Sequence, residues 1–292
     1  MEFVNACTKD NLILKGMFFK PEKQSNVAVL HIHGMSGNCW ENEFIEKMSE
    51  DYPNAGISFL TVETRGSEIL RWFYKKDNKT QLIGNAHELF EDCIKDIEAW
   101  VSFLKAKGYK EVYLQGHSLG CAKIAYFKSL SGEKAVKGLI LIAPSDMIGL
   151  VIEPGNIEKH KRMLKEAAEL AKKGKENSIL SEMVFDFAFL SAKTYLNFFQ
   201  ENSKTAIFNY YKPSLGFETI KKIDVPILAI LGTKDDAVIG NPKESLELLK
   251  KNAINCPKFV DCIIEGAEHD YAGFEGDVTK SVIQFINKIK NA

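Results

Sequence analysis

Three polar side chains that lie far apart in the sequence have the residue types and the local settings of a nucleophilic catalytic triad. Ser118 lies in a Gly-His-Ser-Leu-Gly sequence at 116–120, between a short apolar run and a helical segment, where this motif forms a tight turn that exposes the serine. A serine hydroxyl is a weak nucleophile unless a base takes its proton and a carboxylate orients that base. Asp235 and His269 each follow a later apolar run. We therefore predict Ser118 as the nucleophile, Asp235 as the orienting acid and His269 as the general base.

Two other carboxylates remain open as the acid of this triad. Asp236 is the direct neighbour of Asp235, and Asp146 follows an earlier apolar run that ends at Ala143. We favour Asp235 because of its spacing from Gly232, at the end of the preceding apolar run. The resulting order of nucleophile, acid and base along the chain is one of the known orders for such triads.

Backbone amides beside Ser118 are expected to stabilise the oxyanion of a tetrahedral intermediate, which requires two N–H donors. Leu119, the residue after the nucleophile, supplies one of them in this type of turn. The other is expected from the His-Gly-Met-Ser-Gly sequence at 33–37, and we assign it to Met35. An ordinary strand-to-helix turn is the alternative interpretation of that loop. Gly34 and His117 adjoin the predicted site and are candidate substrate contacts, although His117 also has a structural interpretation.

The elements that position these residues alternate between short β-branched apolar runs and longer segments of helical period. This pattern predicts an α/β fold with a mostly parallel central sheet flanked by helices. A helical, aromatic-rich segment interrupts the alternation, so we predict a core domain at 1–143 and 221–292 and an inserted helical cap at 144–220. Tyr195 and Phe199 in this cap are candidate substrate contacts, or else part of a packing layer. The predicted strands are 2–8, 11–20, 27–33, 57–62, 112–115, 139–143, 227–231 and 259–264, and the predicted helices include 41–51, 85–108 and one from the 116–120 motif to about 131.

Composition and charge restrict the classes of partner. The chain has 292 residues, of which 45% are hydrophobic and 26% charged, and its formal net charge is −1. Acidic and basic residues are interspersed, so we predict no basic face for nucleic acid, and no uncharged run has the length of a membrane span. The first ten residues lack an apolar signal core and the six cysteines lack Cys-x-x-Cys spacing, so we expect a cytoplasmic protein with reduced thiols. We expect no metal and no organic cofactor, and the oligomeric state is left open.

On these motifs the chain resembles the α/β-hydrolase superfamily from about Val27 to its C-terminus, with a cap inserted after Ala143. It is most similar to the capped branch of esterases, monoacylglycerol lipases and serine aminopeptidases. The segment 85–120 also resembles a family of uncharacterised hydrolases that includes fungal siderophore-ester hydrolases; the residues that carry this likeness are Phe90, Asp92, Cys93, Asp96 and Ile97, ahead of the 116–120 motif. The resemblance implies hydrolysis of a small-molecule ester with a small or medium acyl group, through an acyl-enzyme on Ser118.

One departure from these relatives concerns the Glu-Thr-Arg-Gly-Ser sequence at 63–67. Many relatives have an acidic-x-Arg-Gly-x-Gly segment, and this chain lacks its second glycine. Arg65 is therefore either a structural ion pair or a contact for an anionic substrate.

Two other functions also stay open, because a fold and a triad do not determine the bond that is cleaved. The same triad would serve an amide, a thioester or a carbon–carbon bond, and a silent ligand-binding protein could keep the scaffold.

Overall fold

A computed structural model describes residues 1–40 and 42–290 of the chain. Glu41, the first residue of one predicted helix, lies outside the described residues, as do Asn291 and Ala292 at the end of the predicted core domain. None of the described helices combines the length and the apolar character needed to cross a membrane.

An eight-stranded sheet forms the centre of the described structure. Its strands are β1 (Glu2–Cys7), β2 (Ile13–Phe19), β3 (Val27–Ile32), β4 (Ser58–Val62), β7 (Glu111–His117), β8 (Val136–Ile142), β9 (Ile227–Gly232) and β10 (Phe259–Ile264), while β5 (Trp72–Tyr74) and β6 (Thr80–Leu82) form a separate hairpin. The strand order is β1-β2-β4-β3-β7-β8-β9-β10. Only β2 runs against the other seven strands of this sheet, since it pairs antiparallel with both β1 and β4. The mostly parallel sheet confirms the predicted fold class.

Helices cover both faces of the sheet. They are α1 (Glu43–Asn54), α2 (Cys93–Ala106), α3 (Leu119–Leu130), α4 (Gly149–Ile152), α5 (Ile157–Lys172), α6 (Ala192–Phe198), α7 (Glu218–Lys221), α8 (Pro242–Asn252) and α9 (Glu275–Lys290). Strand β3 is buried along its whole length, and its alternate residues enter two cores. Val27 and Val29 pack with side chains of α1 and α9, whereas Ala28 and Leu30 pack with those of α2 and α3. Burial on both faces explains why these strands are continuous apolar runs.

Several predicted boundaries are wrong by two or more residues. The helix expected from Asn85 begins with a 3₁₀ turn at Phe90–Asp92 and becomes α2 only at Cys93. Strand β7 extends to His117, two residues past its predicted end, and therefore reaches directly into the motif at 116–120. Residues 144–220, called the insert below, lie between β8 and β9, and they contain α4, α5, α6 and all of α7 except its last residue.

Candidate active site

Ser118 lies at a strained turn between β7 and α3. Its backbone dihedrals are φ 53° and ψ −122°, a conformation that costs a non-glycine residue about 1–3 kcal/mol. The flanking positions have no room for a side chain. A Cβ atom on Gly116 would overlap the backbone of Gly120, and one on Gly120 would overlap the Ile32 carbonyl. The turn therefore lifts one side chain out of a closely packed strand-helix junction, and Ser118 is partly exposed there.

Asp235 and His269 meet at the carboxyl ends of two adjacent parallel strands, β9 and β10. His269 Nδ1 lies 2.8 Å from Asp235 Oδ1, which also accepts a hydrogen bond of 2.9 Å from the Ala237 amide. The Asp235 side chain is fully buried. A carboxylate can only accept here, so the ring proton is on Nδ1 and Nε2 is free to take a proton. Asp236, the neighbouring alternative, is exposed and forms no hydrogen bond with this ring in the described structure.

The Ser118 hydroxyl has a different partner in this structure. Its Oγ lies 3.4 Å from Ser145 Oγ, and Ser145 donates its own proton to the Ala143 carbonyl at 3.0 Å. Ser118 is therefore the donor in this long hydrogen bond. Ser118 and His269 line the same cavity, but no hydrogen bond joins their side chains in the described structure.

Two backbone amides next to Ser118 are free to bind an oxyanion. Leu119 begins α3 and so has one of the unpaired first-turn N–H groups, and neither its N–H nor that of Met35 donates to another described residue. The loop at 33–37 approaches the nucleophile closely, since a Cβ atom on Gly34 would lie 3.2 Å from Ser118 Cβ. His33 holds this loop by donating from Nδ1 to the Gly34 carbonyl at 2.8 Å.

A cavity of about 520 Å³ contains these groups. Of the predicted residues, Gly34, Met35, His117, Ser118 and His269 line it, as does the alternative acid Asp236, whereas Leu119 is buried. The insert forms another part of the wall, through Ser145, Met147, Leu150, Glu153, Asn156, Phe185 and Phe187. The insert side of the wall thus combines four apolar side chains with the polar Ser145, Glu153 and Asn156.

His117 supports the loop that carries His269. Its Nε2 donates to the His269 carbonyl at 2.9 Å, and the two ring centroids are 4.8 Å apart. Burial lowers the pKa of His117 to about 3, with a further contribution from His269, so this imidazole is neutral near pH 7. His117 lines the cavity, and it also fixes the position of the His269 backbone.

Asp146 joins two distant parts of the insert and does not contact His269. Its Oδ1 accepts from the Gly149 amide at 2.7 Å, and its Oδ2 accepts from the Tyr211 amide at 2.9 Å. Burial raises the pKa of this carboxyl to about 6, against the lowering effect of these amides. The structure therefore gives Asp146 a structural role within the insert, and Asp235 is the carboxylate next to the imidazole.

The structure corrects two predicted substrate contacts. Arg65 is buried and pairs with Asp96, Asp10 and Asp92, with N–O distances of 2.8, 3.0 and 3.2 Å. It does not line the cavity, because its guanidinium is enclosed by these three carboxylates. Phe199 is also fully buried and packs against Tyr195, with ring centroids 5.1 Å apart. Tyr195 itself lines a second, smaller cavity next to the first.

Sequence reasoning missed a buried polar network behind the site. Ser36 donates to Asn85 Oδ1 at 2.9 Å, and Asn85 Nδ2 donates to Glu88 Oε1 at 3.0 Å. Lys123 Nζ lies 2.9 Å from Glu88 Oε2, and neither side chain of this ion pair is more than 1% exposed. The network connects the loop of Met35 to the helix that follows Ser118. The one available signal was Lys123 itself, a charge within the apolar segment that forms α3.

A metal ion has one candidate set of ligands among the described residues. Asp235, Asp236 and His269 bring ligand atoms within 4.8 Å of one another. Two of them, Asp235 and His269, are already joined by a hydrogen bond of 2.8 Å, which accounts for the approach of these two side chains.

Comparisons with known proteins agree with the fold and identify the family. Residues 84–291 match the model of a family described as a protein of unknown function, DUF1749, and a comparison with curated proteins finds no match. Among solved structures, the chain is similar to Est1E from Butyrivibrio proteoclasticus with bound ferulic acid, at 18% identity and a TM-score of 0.68 over 99% of this chain and 100% of that one.

Two fungal structures give the same result. The siderophore hydrolase EstB from Aspergillus fumigatus is 13% identical with a TM-score of 0.72, over 99% of this chain and 98% of that one. The α/β hydrolase GrgF from Penicillium sp. sh18 is 17% identical with a TM-score of 0.67, over the same shares. At these identities the similarity establishes the α/β-hydrolase fold. The family match covers more than half of this chain, and the chain therefore belongs to the DUF1749 family.

Proposed function

We propose that this protein is a serine hydrolase that cleaves a carboxylic ester of a small or medium acyl group through an acyl-enzyme on Ser118. The observation that carries the proposal is the 2.8 Å hydrogen bond between Asp235 and His269, which leaves Nε2 of the imidazole free in the cavity that also contains Ser118. Esterases and other hydrolases among the similar structures, including one with bound ferulic acid and a siderophore hydrolase, support an ester as the substrate.

In the first half of the reaction, Ser118 Oγ bonds to the ester carbonyl carbon while its proton moves to His269 Nε2. The electron pair of the carbonyl π bond moves to oxygen, and the Met35 and Leu119 amides stabilise that oxyanion. When the pair returns, the bond to the alcohol oxygen breaks, and His269 donates its proton to this leaving group. Asp235 stabilises the imidazolium that exists between these two proton transfers.

In the second half, water takes the place of the alcohol. Its oxygen bonds to the acyl carbon as its proton moves to His269, and the same two amides bind the new oxyanion. Collapse breaks the bond to Ser118 Oγ, which recovers its proton from His269, and the carboxylic acid leaves. The apolar side chains that the insert contributes to the 520 Å³ cavity, Met147, Leu150, Phe185 and Phe187, support an acyl group of small or medium size.

Ser118→Ala tests the proposal, with Ser145→Ala as its matched control. Both variants remove a serine hydroxyl from the same cavity, but only Ser118 can form the acyl-enzyme. We expect Ser118→Ala to abolish steady-state hydrolysis of p-nitrophenyl butyrate and labelling by a fluorophosphonate probe, and Ser145→Ala to retain both. Circular dichroism would verify that each variant is folded. Wild-type turnover by folded Ser118→Ala would refute the mechanism, and cleavage of amides or thioesters in place of esters would change the substrate class.

A further inference from the structure

A second cavity lies within the insert, beside the candidate active site. Its volume is about 150 Å³. Leu150, Asn156 and Phe185 line both cavities, so the two are immediate neighbours. His160 from α5 and Tyr195 from α6 also line the smaller one, which we call the side cavity. It is therefore placed to receive one end of a molecule that reacts at Ser118.

The wall of the side cavity contains a histidine with an unpartnered ring nitrogen. His160 is only 6% exposed, and its Nδ1 lies 2.7 Å from the Tyr195 hydroxyl. Burial lowers the pKa of His160 and raises that of Tyr195, so the imidazole is neutral and the phenol keeps its proton. The Tyr195 hydroxyl has no other acceptor among the described residues. It therefore donates to Nδ1, and the single ring proton of His160 is on Nε2.

This Nε2–H group forms no hydrogen bond with any described residue. It is also not one of the fully enclosed unpartnered atoms of the described chain, so it borders open space. The charged side chains that line the side cavity, Lys159 and Asp186, are already paired with each other at 2.8 Å. A ligand group that fits here is therefore neutral, and it presents an acceptor to His160 Nε2–H.

A strained turn places the aromatic wall that separates the two cavities. Phe185 and Asp186 have φ angles of 52° and 59°, which are unfavourable for side chains as bulky as phenylalanine. Val184 and Ala188 pair across this turn, with backbone hydrogen bonds of 2.8 and 3.0 Å. The turn keeps the Phe185 ring at the border of both cavities, where a ring of the ligand can pack against it.

We propose that the side cavity binds one end of the substrate, namely a neutral group of about the size of a benzene ring that carries a carbonyl or ether oxygen, and that His160 Nε2–H donates to that oxygen. An apolar cavity of about 150 Å³ in another protein holds benzene, which sets the size of the group. Its identification as a substrate site rests on the proposed ester hydrolysis, whereas its affinity for such a group does not.

Binding of two nearly isosteric probes tests the side cavity without catalysis. Acetophenone has a carbonyl oxygen where α-methylstyrene has a methylene group. In ¹⁵N-labelled protein, long-range ¹H–¹⁵N spectra report the tautomer of each histidine, and His160→Phe identifies the signals of His160. We expect His160 to carry its proton on Nε2, and acetophenone to shift its signals and to bind about two- to tenfold more tightly than α-methylstyrene. His160→Phe should abolish that preference. His87→Phe, which replaces a half-buried histidine outside both cavities, should retain it.

The opposite results would overturn the inference: an Nδ1–H tautomer, equal affinities in the wild type, or a preference that survives in His160→Phe. If His160→Phe does not fold, Tyr195→Phe serves instead, because loss of the hydroxyl should give mixed tautomers and a weaker preference. The p-nitrophenyl esters of 3-(4-acetylphenyl)propanoic and 3-(4-isopropenylphenyl)propanoic acids then separate the two proposals. Selective binding of acetophenone without turnover of either ester would refute the ester hydrolase alone. Turnover of both esters, without a probe preference, would refute the side cavity alone.

Discussion

Replacement of Asp235 by asparagine is the most informative perturbation of the candidate triad, because its neighbour provides a matched control. Asp235→Asn and Asp236→Asn make the same chemical change at adjacent positions. Of the two, only Asp235 forms a hydrogen bond with the imidazole, at 2.8 Å, whereas Asp236 is exposed at the wall of the cavity. The amide should keep its oxygen at the position of Oδ1, because the Ala237 N–H donates to that atom at 2.9 Å. The variant therefore retains the ring tautomer and loses mainly the negative charge.

The expected loss follows from the geometry of this pair. Opposite unit charges 2.8 Å apart attract each other by about 6 kcal/mol at an effective dielectric constant of about 20. A hydrogen bond from the neutral ring to the carboxylate already contributes about 1.5–3 kcal/mol before proton transfer. The difference, about 3–4 kcal/mol, stabilises only the imidazolium of the transition state and corresponds to a fall in kcat of about 100- to 1,000-fold. This is less than the roughly 10,000-fold fall that the wrong tautomer causes in a Ser-His-Asp protease.

Initial rates with p-nitrophenyl butyrate, measured on both variants and the wild type at several substrate concentrations, would separate kcat from KM. We expect the loss for Asp235→Asn to appear in kcat. Both kcat and KM of Asp236→Asn should stay within about threefold of the wild type, because an exposed carboxylate without an ion-pair partner contributes little interaction energy. Thermal unfolding would control for stability. A larger fall in kcat for Asp236→Asn, or a fall of less than tenfold for a folded Asp235→Asn, would show that this reasoning about the acid is wrong.

Three further predictions concern the surroundings of the triad. Gly34→Ala places a Cβ atom 3.2 Å from the Cβ atom of the nucleophile, so we expect kcat to fall about tenfold in ester assays, while Gly132→Ala, which has open space around it, leaves kcat unchanged. Glu88→Gln leaves Lys123 buried without its counter-charge, so urea unfolding should show a loss of about 3–5 kcal/mol, part of which Lys123→Met restores in the double variant. The pKa of His117 is lowered from 6.5 to about 3 in the folded protein, so the unfolded chain takes up a proton first as the pH falls. Stability should therefore decrease between pH 6.5 and 3, by about 2–3 kcal/mol at pH 4.5, and His117→Phe should show a shallower dependence on pH.

Strands that are short apolar runs were the most predictable part of the fold. The last strand has its predicted limits, 259–264, and β3 lies within its predicted range. The parallel arrangement of such strands brings their carboxyl ends to one edge. That rule is sufficient to predict that the loops of Asp235 and His269 are neighbours. The catalytic roles of these two residues stay predictions.

Helical periodicity was less reliable where buried polar groups interrupt it. Residues 85–89 have the spacing of the helix that follows them, yet the first helical turn begins at Phe90. The Asn85 and Glu88 side chains are buried, and they form hydrogen bonds with Ser36 and Lys123, which belong to distant parts of the chain. A pattern of apolar residues cannot reveal such partners, because burial of a polar side chain depends on tertiary contacts.

The same limitation explains the wrong substrate contacts, and it suggests how ligand-binding residues differ from structural ones in this molecule. Arg65 has a charge and a motif that suggest binding of an anion, but its guanidinium is already paired with three carboxylates from other segments. His160 has no motif, yet one of its two nitrogens has no partner among the described residues. In both residues the decisive property is the donor or acceptor that remains after the protein's own hydrogen bonds have formed. The candidate triad can be predicted from a motif and from the order of its residues along the chain. The proposed substrate-recognition groups cannot, because the donors and acceptors that they leave free depend on the tertiary structure.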